Sequence, residues 1–360
     1  MRVLYAIQGT GNGHLSRAIA LLPHFHQHAE VDILVSGTQS ELKLPYPISY
    51  QYRGASFHYN KRGGIHYAKS GWKNLSLRVL REIRQLPVDH YDLVVNDFEP
   101  ISAWAAKLRK VPSVSVSHQA SFLTAKTPRP EKQDAWAEFI LRNYAPTSQA
   151  LGFHFQPYDS FIFPPIIRPE IRKLEVQAGQ HVTVYLPAYR DKQILRVLTK
   201  MPEVQWQVFS RYSPQPQRHG NVWIRPVSGS TFMESLAGAK AVLCSAGFET
   251  PSEALYLGKK LCVIPIKGQY EQLANAAALA KMGIPVLQKL AEKEIPTFQH
   301  WLACPAPTAQ KYPQMEGLIV KALMDWAKAG RPDHLFPSST FQHFYAPETE
   351  LAPLAPLTST

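Results

Sequence analysis

Short apolar runs alternate with longer segments of helical apolar spacing along the first half of the chain. The apolar runs predict strands at Val3–Ile7, Val31–Val35, Leu93–Val95 and Val114–Val116. Helices are predicted between them, at residues 15–28, 75–86 and 100–110. Strands that alternate with helices in this way favour a parallel, doubly wound sheet.

The same alternation restarts after a proline-rich stretch, residues 161–180, which predicts a boundary. Strands are predicted at His181–Leu186, Val204–Phe209, Val222–Ile224, Ala241–Cys244 and Leu261–Ile264. Helices are predicted at residues 191–200, 231–239 and 315–329. The sequence therefore predicts two α/β domains of similar size, residues 1–165 and 166–330. A tail, residues 331–360, follows them, and we expect it to be partly disordered.

The composition indicates a globular protein and argues against a membrane-spanning or disulfide-rich one. Hydrophobic residues make up 45% of the 360 residues and charged residues 18%, which predicts a packed core. No apolar run reaches the roughly 18 residues of a transmembrane helix, and the run at the N-terminus is too short for a signal peptide. Three cysteines without close pairing indicate a reducing compartment rather than a disulfide framework. We therefore expect a cytoplasmic protein.

The net charge of +12 favours anionic partners. The basic residues cluster in the segment Lys61–Arg84, where Tyr67 and Trp72 lie among them. Such a segment can dock on an anionic bilayer, which would make the protein peripheral on the inner face of the membrane, or hold a phosphorylated acceptor. A solvated helix face is the alternative. No nucleic-acid-binding motif accompanies the charge, so nucleic acid is not expected as a partner.

A glycine-rich loop, Gln8–His14, follows the first predicted strand. Its spacing is neither that of a dinucleotide-binding loop nor that of a Walker loop. Gly11, Asn12 and Gly13 are expected to line a cleft, because glycines let the backbone approach a ligand closely. His14 opens the next helix, where it can act as a general base toward a hydroxyl group. A structural role in the loop is the alternative.

Two further strand ends of the first half carry polar residues. Asp97 and Glu99 follow one strand, and either carboxylate could orient a histidine, as in catalytic triads. Asp97 could instead cap the next helix. Ser117 and His118 end another strand and are candidates for contact with a substrate or for a structural role in the loop. None of the 14 histidines stands in an H-E-x-x-H motif, and no metal site is predicted.

The segment Ser245–Asn275 contains two successive strand ends that each lead into a helix. Ligands bind at the carboxyl ends of strands in open α/β sheets, and a helix N-terminus there suits a phosphate. Glu253 could then accept hydrogen bonds from a ribose. The loop after the second strand offers Gln269, Glu271 and Gln272, of which the last two could bind a sugar.

These motifs carry a family resemblance. The segment Ser245–Asn275 resembles the donor-binding segment of nucleotide-sugar glycosyltransferases of the GT-B type. These include the UDP-sugar transferases of plants and bacteria and the enzyme that adds N-acetylglucosamine to the peptidoglycan lipid precursor. The loop QGTGNGHLSRA resembles their glycine-rich loop. The motifs QGTGNGH, DFEP and SHQ, at Gln8–His14, Asp97–Pro100 and Ser117–Gln119, are similar to those of a group of microbial glycosyltransferase-like proteins.

The resemblance implies two Rossmann-like domains that face a cleft, with the donor held mainly by the second. It implies that Glu253 holds the ribose and that His14 is the base, which Asp97 could orient. The remaining donor contacts that it implies are Ser245, Gly247, Thr250 and Ser252 near the diphosphate and Gln269, Glu271 and Gln272 near the sugar. The sequence departs from the plant enzymes at Glu249, where they carry Asn, and at Ser245, where they carry His.

We therefore expect a glycosyltransferase that moves a sugar from a nucleoside diphosphate, UDP first, to an acceptor hydroxyl. Inversion at the anomeric carbon is expected, without a metal ion or any cofactor besides the nucleotide sugar. The acceptor can be a glycan, a lipid or a small molecule. Two alternatives stay open: a nucleotide-sugar epimerase or hydrolase on the same fold, and a non-catalytic protein that binds anionic glycans or membrane surfaces.

Overall fold

The computed structural model describes residues 1–37, 44–53, 77–177 and 179–330. These residues contain two sheets, the first parallel and the second parallel except for one edge pair. The first sheet has seven strands in the order β3-β2-β1-β4-β5-β6-β7, and every neighbouring pair is parallel. These strands are β1 (Arg2–Gln8), β2 (Glu30–Ser36), β3 (Tyr50–Tyr52), β4 (Leu93–Asp97), β5 (Ser113–Ser117), β6 (Gln149–Phe153) and β7 (Ile162–Phe163).

Helices cover both faces of the first sheet. They are α1 (Asn12–His26), α2 (Leu77–Gln85), α3 (Pro100–Arg109) and α4 (Ala135–Asn143). Strand β1 lies between β2 and β4, and its residues Val3–Ile7 are completely buried. Tyr5 packs in the core on the side of α1, whereas Leu4 packs with Ile83 of α2 on the other side. A continuous apolar run is therefore required here, because both faces of this strand are covered.

The second sheet has six strands in the order β10-β11-β9-β8-β12-β13. All neighbouring pairs are parallel except β10 and β11, which are antiparallel at one edge. The strands are β8 (His181–Tyr185), β9 (Gln205–Ser210), β10 (Gln217–His219), β11 (Val222–Pro226), β12 (Ala241–Cys244) and β13 (Lys260–Val263). The helices are α5 (Pro169–Arg172), α6 (Asp191–Leu198), α7 (Gly229–Gly238), α8 (Glu249–Tyr256), α9 (Tyr270–Lys281), α10 (Ile295–Ala303) and α11 (Glu316–Lys328).

The two sheets confirm the predicted α/β class with two doubly wound units. The first sheet ends at Phe163 and the second begins at His181. Helix α11, however, packs against α1 of the first half, and Gly317 lies against the ring of His24. The predicted second domain, residues 166–330, thus includes a helix that packs on the first half, within a core cluster that contains residues of both halves.

Part of the basic segment Lys61–Arg84 lies outside the described residues, including Lys61, Lys69 and Lys73. So does the predicted tail, residues 331–360. Within the described part of the segment, α2 buries Val79 and Ile83 and exposes Leu77. No helix in the described ranges is long and apolar enough to cross a membrane.

Candidate active site between the two sheets

The glycine-rich loop brings His14 to the carboxyl end of β1. Helix α1 begins at Asn12, directly after Gly11, whose φ of 101° lies in the left-handed region that favours glycine. His14 therefore stands in the first turn of α1 and is 9% exposed. This position agrees with the sequence, which predicted a histidine that opens the helix.

His14 is hydrogen-bonded to Asp97, which ends β4 and is fully buried. His14 Nδ1 lies 2.8 Å from Asp97 Oδ1. Since a carboxylate accepts, Nδ1 donates in this bond, and Nε2 is the ring nitrogen that is left to accept a proton. Asp97 thus fixes both the ring orientation and the tautomer that a general base requires. The structure brings the two predicted catalytic residues together.

Arg17, which the sequence analysis missed, forms two hydrogen bonds with the same carboxylate. Its Nε and Nη2 donate to Oδ2 and Oδ1 of Asp97, over 2.9 and 3.1 Å. Burial alone would raise the pKa of Asp97, but the positive charge of Arg17 and the bonds from His14 and Arg17 lower it below its usual value. The available signal was helical spacing, because residues three apart share one helix face.

A sharp turn follows Asp97 and places Glu99 at the N-terminus of α3. Phe98 has a φ of 55°, a strained value for a residue with a side chain. Glu99 is fully buried and caps α3, since its oxygens accept from the N–H groups of Ile101 and Ser102 over 2.8 and 2.6 Å. The cap of this helix is therefore Glu99 and not Asp97, which was one of the two interpretations of Asp97.

A cavity of about 430 Å³ lies between the two halves, beside the His14 loop. Gly11, Asn12 and Gly13 line it from the first half. Four predicted donor residues line it from the second half: Ser245, Gly247, Thr250 and Glu253. Helix α8 begins here with Glu249, so its free N–H groups lie at the cavity. The cavity also contains two arginines that the sequence analysis missed, Arg168 and Arg211.

Glu253, predicted to hold the ribose, is paired with Arg168. Nε and Nη2 of Arg168 donate to the two carboxylate oxygens over 2.6 and 2.9 Å. Burial raises the pKa of Glu253, whereas the charge of Arg168 opposes this rise. Each carboxylate oxygen has a second lone pair, so the pair leaves acceptor capacity for ligand hydroxyls.

Glu249, the departure from the plant enzymes, contacts the first half. Arg17 Nη1 donates to Glu249 Oε1 over 3.3 Å. The carboxylate lies so close to Gly13 that a Cβ at that position would collide with it. This carboxylate is therefore held by a cation of the opposite half.

The other predicted donor residues lie outside the described lining of the cavity. The hydroxyl of Ser252 donates to the carbonyl oxygen of Phe248 over 2.7 Å, within α8. Gln272 accepts from the N–H of Ile266 over 2.9 Å, which holds the loop before α9. Gln269 occupies the N-cap position of α9, and its buried Oε1 has no hydrogen-bond partner among the described residues.

Glu271 and His118 belong to a set of contacts that joins the halves. Glu271 Oε2 accepts from Gln119 over 3.1 Å, and burial raises the pKa of Glu271. His118 stacks on Phe248 with the ring centroids 3.9 Å apart, and its Nε2 lies 2.9 Å from the side-chain amide of Asn275. Burial lowers the pKa of His118 to about 3, so the ring is neutral.

Ser117 is fully buried and supports the turn that contains His118. Its hydroxyl accepts from the N–H of Ala120 over 3.1 Å. The described residues contain no group of three or more His, Cys, Asp or Glu side chains that could hold a metal ion.

Several solved structures with the same overall fold are glycosyltransferases. The glycotransferase of kitacinnamycin matches with a TM-score of 0.56 and 14% identity, over 92% of this chain and 96% of that one. Phytolacca americana UGT2, complexed with UDP-2fluoro-glucose and pterostilbene, matches with a TM-score of 0.55 and 12% identity, over 92% and 94%. The calicheamicin glycosyltransferase CalG4 has a TM-score of 0.55 and 13% identity, over 91% and 98%.

These likenesses identify the fold as GT-B, as the sequence predicted. Among proteins with curated descriptions, none matches the chain by sequence. The profile of glycosyl transferase family 1, in contrast, matches residues 1–303, which is most of the chain. The chain therefore belongs to glycosyl transferase family 1 and is a glycosyltransferase.

Proposed function

We propose that this glycosyltransferase moves a sugar from a UDP-sugar to an acceptor hydroxyl, with inversion and without a metal ion. The observation that carries the proposal is the His14–Asp97 pair, whose histidine directly follows Gly13 in the wall of a cavity that the predicted donor segment also lines. A histidine with a buried carboxylate partner is suited to accept a proton from a hydroxyl group. The N-terminus of α8 across the cavity is suited to a diphosphate.

In the proposed reaction, Nε2 of His14 takes the proton of the acceptor hydroxyl. The oxygen attacks the anomeric carbon on the face opposite the diphosphate. A carbon–oxygen bond to the acceptor forms as the bond between the sugar and the diphosphate breaks, so the configuration inverts. Asp97 stabilises the imidazolium that forms, because its carboxylate accepts from Nδ1.

The leaving diphosphate takes the electron pair of the bond that breaks. Its negative charge therefore has to be stabilised by hydrogen-bond donors or positively charged groups. The N–H groups at the start of α8 and the guanidinium of Arg211 line the cavity and can supply them. Glu253 would accept from the ribose hydroxyls, and Glu271 with Gln272 would bind the sugar. The Phytolacca protein, described as a complex with UDP-2fluoro-glucose, supports UDP as the first nucleotide to test.

The first experiment is a thermal-shift screen of nucleoside diphosphates and their sugars. A ligand at about 100 times its dissociation constant stabilises the folded protein by about 2.7 kcal/mol, which gives a measurable shift of the melting temperature. We expect UDP to give the largest shift among the nucleoside diphosphates. No shift with any of them would contradict the donor assignment and favour the non-catalytic alternative.

The second experiment tests the base. With a donor and an acceptor found by product analysis, His14→Ala should lower kcat roughly 10²–10⁴-fold and leave the affinity for UDP unchanged. His26→Ala is the matched control, since His26 is exposed at the far end of the same helix. Unchanged turnover in His14→Ala would remove His14 from the mechanism. Product analysis with the donor alone distinguishes the transferase from an epimerase or hydrolase.

We further propose a cytoplasmic enzyme that binds anionic membranes through Lys61–Arg84. The net charge of +12 and the exposed Leu77 on α2 support this. Sedimentation with phosphatidylglycerol vesicles, and with phosphatidylcholine vesicles as a control, tests it. Binding that is equal for both lipids, or absent from both, would contradict the electrostatic part of the proposal.

A further inference from the structure

Arg17 lies between two carboxylates that come from opposite halves of the chain. Only 4% of its side chain is exposed. Two of its nitrogens bond to Asp97, and the third, Nη1, donates to Glu249. Arg17 therefore touches both the proposed catalytic pair and the helix at which the donor would bind.

The guanidinium of Arg17 stabilises the buried carboxylate of Asp97. A fully buried carboxylate is costly unless it is paired and hydrogen-bonded. His14 supplies one bond to Oδ1, and Arg17 supplies a bond to each oxygen. The two parallel bonds from the planar guanidinium fix the plane of the carboxylate, and thereby the direction in which it accepts from His14.

Glu249 reaches Arg17 only because residue 13 is glycine. Its carboxylate packs directly over Gly13, where any Cβ would collide with it. Glu249 also stands in the first turn of α8, where an unpaired carboxylate would repel a diphosphate. The bond to Arg17 neutralises this charge, which gives the departure from the plant enzymes a physical reason.

We propose that Arg17 is a positioning residue that holds Asp97 for His14, and that Glu249 fixes Arg17 when the two halves stand at the separation seen here. The orientation of the catalytic pair is then coupled to the placement of the donor helix. The inference rests on the proposed function in one respect, the role of His14 as the base.

The experiment reads the geometry of the pair without turnover. In protein labelled with ¹⁵N-histidine, the Nδ1 proton of His14 that is bonded to Asp97 gives a downfield proton resonance, assigned by its loss in His14→Gln. The spectrum is compared in wild type, Arg17→Gln, Glu249→Gln and the double variant. We expect Arg17→Gln to broaden or shift this resonance strongly, and Glu249→Gln to shift it partly.

The double variant decides whether Glu249 acts through Arg17. If it does, Glu249→Gln causes no further change once Arg17 is Gln, because residues that act as one unit are not additive. Gly13→Ala should reproduce the spectrum of Glu249→Gln, since the added Cβ displaces the carboxylate. An equal effect of Glu249→Gln in both backgrounds, or no effect of Arg17→Gln, would overturn the proposal.

Two controls distinguish this coupling from a general loosening of the two halves and from a direct effect on the diphosphate. Tyr270→Phe removes a hydrogen bond to Glu138 that also joins the halves but does not touch the catalytic pair, and it should leave the His14 resonance unchanged. In calorimetry with UDP, a tighter complex of Glu249→Gln in both backgrounds, with an unchanged resonance, would assign Glu249 to the donor instead. Glu249 is one-third exposed, so this variant is expected to fold even if Arg17→Gln does not.

The last measurement is the turnover of the Arg17→Gln variant. With UDP-glucose as the probe and UDP release as the signal, Arg17→Gln should lower kcat roughly 10- to 100-fold, because misplaced catalytic groups cost rates of this order. Its UDP affinity should stay within about threefold of wild type. If His14→Ala keeps full turnover while the resonance couples as expected, the proposed function fails and the positioning geometry remains.

Discussion

The buried pair of Arg168 and Glu253 offers a quantitative test of the site's electrostatics. Arg168→Met removes a guanidinium and leaves the carboxylate of Glu253, whose side chain is 4% exposed, without its partner. Removing one partner of a buried pair costs about 3–5 kcal/mol. Since 22% of the Arg168 side chain is exposed, solvent screens the pair, and we expect about 2–3 kcal/mol.

This free energy corresponds to a clear thermal shift. For domains of about 150–250 residues, each kcal/mol moves the melting temperature by about 2–4 °C, so Arg168→Met should lower it by about 4–12 °C. The double variant Arg168→Met/Glu253→Gln should recover at least half of the loss, because no buried charge remains. Arg196→Met is the control: its ion pair with Glu292 is exposed, and little change is expected.

The pH dependence of the stability of Arg168→Met provides an independent test of the same reasoning. Burial raises the pKa of Glu253, and loss of Arg168 removes the charge that opposes this rise. The folded variant then binds a proton more readily than the unfolded chain, so its stability deficit should shrink as the pH falls from 7 toward 5. Differential scanning calorimetry at both pH values measures this. A shift under 2 °C at pH 7, a double variant as unstable as the single one, or a deficit that grows on acidification would refute the reasoning.

Three further predictions concern single residues. Glu99→Ala removes the cap of α3 and should cost about 1–2 kcal/mol in chemical denaturation, with UDP affinity unchanged; weaker UDP binding would indicate a role in the cleft. Lys110→Gly, at an exposed C-cap with φ of 57°, should raise the melting temperature by a few degrees, since glycine adopts this backbone without strain; a lower melting temperature would contradict this. His118 stays neutral in the folded protein at its pKa of about 3, whereas the unfolded chain binds the proton near pH 6.5. Acidification from pH 7 to pH 5 should therefore cost about 2 kcal/mol, and His118→Gln should flatten this slope; an equal slope in both proteins would refute it.

The strands most easily predicted from the sequence are those in which apolar residues run continuously. Val3–Ile7 and Ala241–Cys244 are buried on both faces, so their pattern needs no partner to be recognised. Strand β6, Gln149–Phe153, was missed because it contains Gly152. A Cβ there would come within 2.8 Å of the backbone nitrogen of Ser121, so close packing dictates a residue that local propensity disfavours in strands.

Site residues could be predicted from the sequence where polar side chains follow the end of a predicted strand. His14 ends the loop that follows one predicted strand, Asp97 lies just beyond the end of another, and parallel strands present these ends on one side of the sheet. Arg168 could not be inferred in this way, because it lies 85 positions from Glu253 in a proline-rich crossing segment. Only the folded chain brings that cation to the carboxylate.

The packing of α11 on α1 has a consequence for synthesis. Leu21 and Phe25 of α1 share one core with Ile319 and Leu323 of α11. A ribosome releases α1 among the first residues and α11 only after nearly all the others, so the first half stays incomplete while the second half is being made. A fragment that ends at residue 303, where the family match ends, would carry an uncovered apolar strip on α1 and should aggregate, whereas the chain through Lys328 covers it.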